Sequence, residues 1–162
     1  MDVIIRHAQL TDVPAILEIL NHEILSATSV YDYATHTLTQ QQQWYNNKVE
    51  KNMPVLVAEL NDRIFGFGSY DIFRQWDGYK FSVEHSIYTH KDSRGLGIGT
   101  LLMKKLIVQA KGQGYHTMIA GIDDANKGSI EFHKKFGFEI VGHFKEVGYK
   151  FDRWLNLTFM QL

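Results

Sequence analysis

Two sets of residues in this chain have the types and spacing to do chemistry. The first is the run His90-Lys91-Asp92-Ser93-Arg94-Gly95-Leu96-Gly97-Ile98-Gly99-Thr100, with glycine at every second position from Gly95 to Gly99 and an apolar stretch after it. Backbone N–H groups of such a loop, together with the free N–H groups that open a following helix, form a concave donor set for an anion such as a pyrophosphate. Gly97 and Gly99 carry no Cβ to hold the anion away, and Arg94 brings a permanent positive charge. The spacing is not a dinucleotide fingerprint, because Thr100 fills the third glycine slot counted from Gly95. Nor is it a P-loop, because Gly99-Thr100 lacks the lysine. A tight strand-to-helix turn that binds nothing fits the same glycines.

The second set is titratable. Glu84 lies in Phe81-Ser82-Val83-Glu84-His85-Ser86-Ile87-Tyr88, where strand alternation sends Val83 and Glu84 to opposite faces. A carboxylate there can take a proton from an amine, or face water beside Lys80. His133, followed by Lys134 and Lys135, titrates near neutral pH and can serve as acid or base, or lie idle on a helix surface. Asn126 and Ser129 suit the cap and first turn of that helix. Arg74 can clamp a carboxylate through two parallel hydrogen bonds, or end a strand on the surface. Tyr31, Tyr33 and Trp76 can wall a pocket or pack in a core. There is no cysteine among the 162 residues, so thiolate chemistry is excluded and a reducing cytoplasm is expected. The eight histidines show no H-E-x-x-H pattern, and no metal site is expected.

Positioning these groups takes an alternating set of elements. Residues 3–8 read as a strand, with Thr11 as N-cap and Pro14 early in the helix that follows. Thr39 is expected to open a second helix with Trp44 as its buried anchor. Asn61-Asp62 joins two apolar runs as a hairpin. Residues 80–90 read as a strand feeding the glycine loop, which opens a helix over 100–111. A strand at 116–122, a short helix stopped at Gly137 and two closing strands at 139–147 and 153–162 complete the order β-α-α-β-β-β-α-β-α-β-β. That order predicts an α/β or α+β domain, a mixed sheet with helices on both faces.

A strand, then R-x-x-G-x-G, then a helix, with N-x-x-S-x-x-x-H-x-x-x-G-F downstream, resembles the GNAT family of acetyl-CoA-dependent N-acetyltransferases. The segments NHEILSATSVYDYATHT, VEHSIY, AGIDDANKGSIEFHKKFGF and VGYKFDRW resemble its phosphinothricin and methionine sulfone/sulfoximine acetyltransferase branch over nearly the whole chain. The resemblance implies one GNAT domain over 1–162, with a mostly antiparallel central sheet flanked by helices on both faces. It implies that Arg94, Gly95, Leu96, Gly97, Ile98, Gly99 and Thr100 wrap the coenzyme's pyrophosphate. By the same resemblance Ile87, Tyr88 and Thr89 pair with its pantetheine arm, where one amide polarises the thioester carbonyl, and Asn126 and Ser129 touch the pantetheine and phosphate region. Glu84 corresponds to the branch's glutamate that deprotonates the amine, directly or through a water, and His133 to its second catalytic position, as acid, base or cofactor contact. Arg74, Gln75, Trp76, Glu84, His85 and Ser86 fall on the acceptor side, and Lys150, Phe151, Arg153 and Trp154 on the pocket or a dimer contact.

The implied activity is acetyl transfer from acetyl-CoA to the α-amino group of a small amino-acid-like acceptor, by a cytoplasmic homodimer. Two rival readings are an acetyltransferase of the same fold acting on a polyamine, an aminoglycoside or a protein N-terminus, and a CoA-binding module without catalysis. A net charge of −1 gives no field for nucleic acid or an anionic membrane, and residues 1–12 do not read as a signal peptide. The chain departs from the branch at Asp152, at Asn156, in the loop VYDYATHT without its proline, and in RQWDGYKF, all towards the acceptor side.

Overall fold

The computed structural model describes residues 2–93 and 95–162. Its elements follow the expected order: β1 (Ile4–His7), α1 (Val13–Ser26), α2 (Leu38–Glu50), β2 (Val55–Leu60), β3 (Arg63–Ile72), β4 (Ser82–Thr89), α3 (Ile98–Gly112), β5 (Thr117–Asp123), α4 (Lys127–Lys134), β6 (Glu139–Lys150) and β7 (Arg153–Gln161). The strands form one seven-stranded sheet in the order β1-β2-β3-β4-β5-β7-β6. Every pairing is antiparallel except β4 with β5.

Strand alternation sorts the apolar side chains onto two faces. Val55, Val57 and Phe67 face α1, where Ile16, Ile19, Leu20 and Ile24 close over them. Leu56, Ala58, Tyr70 and Val83 face Leu102, Met103 and Leu106 of α3, with Ile130 of α4 in the same cluster. The helices therefore cover both faces, as the sequence predicts.

Three helix starts differ from expectation, each for a local reason. Thr11 does not cap α1. Leu10–Asp12 forms a 3₁₀ turn instead, with the Asp12 carboxylate accepting the Gln9 N–H at 2.7 Å. Thr37, not Thr39, opens α2, because its hydroxyl accepts the Gln40 N–H at 3.2 Å while the Gln40 side chain accepts the Thr37 N–H at 2.8 Å. α3 begins at Ile98 rather than Thr100, since Gly97 takes φ +70° and caps the helix. Trp44 is only half-buried, edge-on to Phe67, and the buried positions of α2 are Gln41 and Lys48. The Asn61-Asp62 hairpin is as expected, both residues having positive φ (52° and 59°) as a type I′ turn requires.

Candidate active site

The sheet opens at its parallel junction. β4 and β5 pair only at Ser82–Glu84 against Thr117–Ile119. Past that point β4 keeps β3 as far as Thr89, and β5 keeps β7 as far as Asp123. The edges that part carry main-chain groups free of sheet partners, the arrangement that accepts an extended ligand as an added strand. The cleft between them holds about 280 Å³. Residues 84–88 line one side and 120–123 the other. Asn126, Ser129 and His133 close one end, and Thr28, Ser29 and Tyr31 cover it from the loop after α1.

Glu84 stands at the root of this fork, while its neighbour Val83 is buried against α3. Burial raises the Glu84 carboxyl above its ordinary pKa, and the nearby Arg74 charge only partly offsets this. Room for the carboxylate comes from Gly121 on β5: a Cβ there would lie 3.3 Å from Glu84 Oε1. A β-branched residue at 121 would press on the carboxylate, which gives this glycine its steric meaning.

His133 is buried on α4, and burial lowers its pKa. Its Nδ1 lies 2.7 Å from the Ser129 carbonyl, and its Nε2 lies 3.0 Å from Nε2 of His85. The two rings stack with centroids 5.1 Å apart. His85 therefore turns to the α4 face, away from the acceptor-side residues with which the sequence groups it. Asn126 acts as the N-cap of α4, its Oδ1 accepting the Ser129 N–H at 3.0 Å. Ser129 completes the first turn and supplies the carbonyl for His133.

At the glycine loop, Gly95 and Gly97 have φ of +81° and +70°, where a Cβ is strained. Gly99 lies within the first turn of α3, and the N–H groups of Ile98, Gly99 and Thr100 have no intrahelical partner. Leu96 is exposed beside them. Arg94, expected to supply the positive charge, lies outside the described residues. Ile87 packs towards α3, Tyr88 lies against Phe67, and Thr89 pairs with Gly66.

The acceptor-side residues are less gathered. Arg74, Gln75 and Trp76 are exposed on the turn between β3 and β4. The Arg74 guanidinium lies 4.3 Å from the Phe73 ring centroid, outside the cleft but close enough to act on Glu84. Ser86 lines the cleft beside Glu84. Tyr31 borders it, whereas Tyr33 donates to the Tyr149 carbonyl on the β6–β7 arm.

Two contributors, Thr28 and Gly121, escaped sequence reasoning, and Lys150, expected on the pocket or a dimer contact, takes a more specific part. Thr28 donates to Asp123 at 2.5 Å, tying the loop after α1 to the tip of β5. Lys150 is buried and donates to the carbonyls of Ala27 and Val30 at 2.8 and 2.6 Å, which pins that loop over the cleft. Gly121 shows in the sequence only as a glycine inside a strand, the usual mark of a close approach. Among the described residues no cluster of three or more histidine and carboxylate ligands is present.

A sheet split at one parallel junction, a glycine-capped helix at the end of one arm and a half-buried carboxylate at the root are parts that an acyl transfer from a phosphate-bearing thioester to an amine can use. The acetyltransferase (GNAT) family model matches residues 16–138, and the chain belongs to that family. Its likenesses are narrower than the family. It is 40% identical to the L-methionine sulfoximine/L-methionine sulfone acetyltransferase of Pseudomonas aeruginosa, over 100% of this chain and 95% of that protein. An N-acetyltransferase from Staphylococcus aureus Mu50 superposes with TM-score 0.98 at 42% identity, covering 100% and 98% of the two chains. A GNAT superfamily phosphinothricin acetyltransferase from Sinorhizobium meliloti, solved in complex with acetyl-CoA, gives TM-score 0.95 at 31% identity, covering 100% and 88%.

Proposed function

We propose that this N-acetyltransferase moves the acetyl group of acetyl-CoA to the α-amino group of a small amino-acid-like acceptor of the methionine sulfone, methionine sulfoximine or phosphinothricin type. The observation that carries this reading is the Glu84 carboxylate, held at the fork with its pKa raised by burial. An α-amino group has a pKa of about 7.7–8.0, so near neutral pH much of it must lose a proton before it can attack. A carboxylate whose pKa is raised towards that of the amine is the stronger base for this step.

The residues of this chain divide the work by position. Gly95, Leu96, Gly97, Ile98, Gly99 and Thr100, with Arg94, hold the donor's pyrophosphate. The free edge of β4 at Ile87, Tyr88 and Thr89 holds the pantetheine arm, and a main-chain N–H there polarises the thioester carbonyl. Glu84 takes the ammonium proton, directly or through a water. The amine nitrogen then bonds to the acetyl carbon, and the carbon–sulfur bond breaks. The second proton that the nitrogen must lose to become an amide balances the one that the departing thiolate takes up to leave as free thiol. Asn126, Ser129 and His133 wall the cleft from α4, and Arg74 binds the acceptor's carboxylate, with Gln75, Trp76 and Ser86 around it, while His85 faces His133 instead.

One domain over 1–162 suffices for this chemistry. The exposed apolar strip Ile140, Phe144, Val147, Tyr149 and Trp154 on the β6–β7 arm supports a homodimer built across it. No helix of the described residues is long and apolar enough to cross a membrane.

Thiol release from acetyl-CoA, screened over the three acceptors, tests the reading. Turnover is expected with at least one of them. Arg74→Ala should raise the acceptor KM about tenfold, while the acetyl-CoA KM moves less than about twofold. Turnover of polyamines alone contradicts the acceptor class, and absence of acetyl-CoA binding by calorimetry contradicts the whole scheme.

A further inference from the structure

The hydrogen bonds around His133 run in one direction. The Ser129 carbonyl can only accept, so the hydrogen in its 2.7 Å bond to His133 sits on Nδ1. Burial disfavours the charged form of both imidazoles, and His133 adds to that effect on His85. A neutral His133 with hydrogen on Nδ1 presents a bare Nε2. The 3.0 Å contact between the two Nε2 atoms then takes its hydrogen from His85. That leaves Nδ1 of His85 bare, and it is a buried atom with no partner among the described residues. Phe138 stands edge-on to both rings, which fixes their planes.

The place of this bond in the fold gives it a task. His85 is the first residue of β4 past the last pairing with β5, and His133 lies on the helix that β5 feeds. The bond spans the two arms where they part. We propose that His85 is a positioning residue, whose Nε2–H fixes His133 as its Nδ1–H tautomer and ties α4 to β4, setting the width of the cleft for the donor's arm. This rests on the donor lying in the fork. In the resting protein His133 then has no hydrogen to give a departing thiolate and no free lone pair, so its part is to hold the wall.

Long-range ¹⁵N–¹H spectra of histidine-labelled, ligand-free protein read the tautomers directly. His133 should carry its hydrogen on Nδ1 and His85 on Nε2. His85→Leu should mix the tautomers of His133 and raise the acetyl-CoA KM about tenfold, the equivalent of one hydrogen bond, with the acceptor KM changed less than about twofold. His85→Gln, which brings an amide N–H to a similar reach, should keep both near native. Hydrogen on Nδ1 of His85, an unmoved His133 tautomer in His85→Leu, or an unmoved donor KM overturns the proposal. If His85→Leu does not fold, mixed His133 tautomers in His85→Gln overturn it equally. Failure of the native protein to bind acetyl-CoA removes the donor reading and the cleft-width claim together, whereas the tautomers are read without ligand and keep the two failures apart.

Discussion

Two polar clusters sit on the same sheet and use their charges in opposite ways. At the β1 edge, Arg6 donates to both carboxylate oxygens of Asp12 at 2.7 and 2.9 Å and to Glu59 at 2.7 Å. Asp12 also accepts the Gln9 N–H, and the guanidinium holds its pKa below the ordinary range. At the fork, Glu84 is pushed up by burial and His85 keeps a buried nitrogen without a partner among the described residues. Satisfied charges hold a strand and a helix start in place. Unsatisfied ones destabilise the fold locally and stay available for protons, which is what a catalytic group requires.

The contrast is sharpest at Glu84. Glu84→Gln should lower kcat/KM for the acceptor about 10²- to 10³-fold, the range of a lost general base. The same change should stabilise the protein at neutral pH. Burial raises the Glu84 pKa in the folded state above its unfolded value, so ionising it works against folding. The gain of the variant should vanish in acid, where Glu84 is neutral in both states, and grow as pH rises through the folded pKa. Urea unfolding at acid and neutral pH reads this, and equal stability at both would contradict the sign.

The satisfied cluster should behave the other way. Arg6→Met leaves two carboxylates without their cation and should cost about 2 kcal/mol of unfolding free energy, while kcat of the folded enzyme stays within about twofold. A large loss of kcat with intact stability would erase the distinction between the two regions.

Smaller still is the effect of acid on the imidazole pair. Both folded pKa values lie below the ordinary histidine value, with His85 pushed down to about 3. Stability is therefore present above the unfolded pKa and is lost as pH falls through the window below it. His85→Gln should shift the acid-unfolding midpoint to lower pH, and a shift upwards would contradict the sign. At the bottom of the scale, Asn126→Ala removes the cap of α4 and should cost about 1 kcal/mol, read from the midpoint of denaturant unfolding.

What the sequence shows and what it hides follow from range. The Asn61-Asp62 hairpin, the Val83/Glu84 alternation and the positive-φ glycines are local, and the chain carries them within a few residues. Helix starts shift by two residues, because Thr37 and Gly97 win the caps through geometry that composition does not rank. The fork was legible only through family resemblance, since nothing in the composition of β4 or β5 says where their pairing stops. The His85–His133 bond joins residues 48 apart and Thr28–Asp123 residues 95 apart, and no periodicity links them. His85 fell among the acceptor residues for that reason: its neighbours in sequence face one way and its side chain the other.

The central claim is that Glu84 is the base of an acetyl transfer at the fork. It is tested most directly by kcat/KM for the acceptor against pH, at saturating acetyl-CoA, in the native protein and in Glu84→Gln. The native profile should rise through an acid limb placed above the ordinary carboxylate range, and the variant should lose that limb and most of its rate. Two profiles of the same height and shape would take Glu84 out of the chemistry.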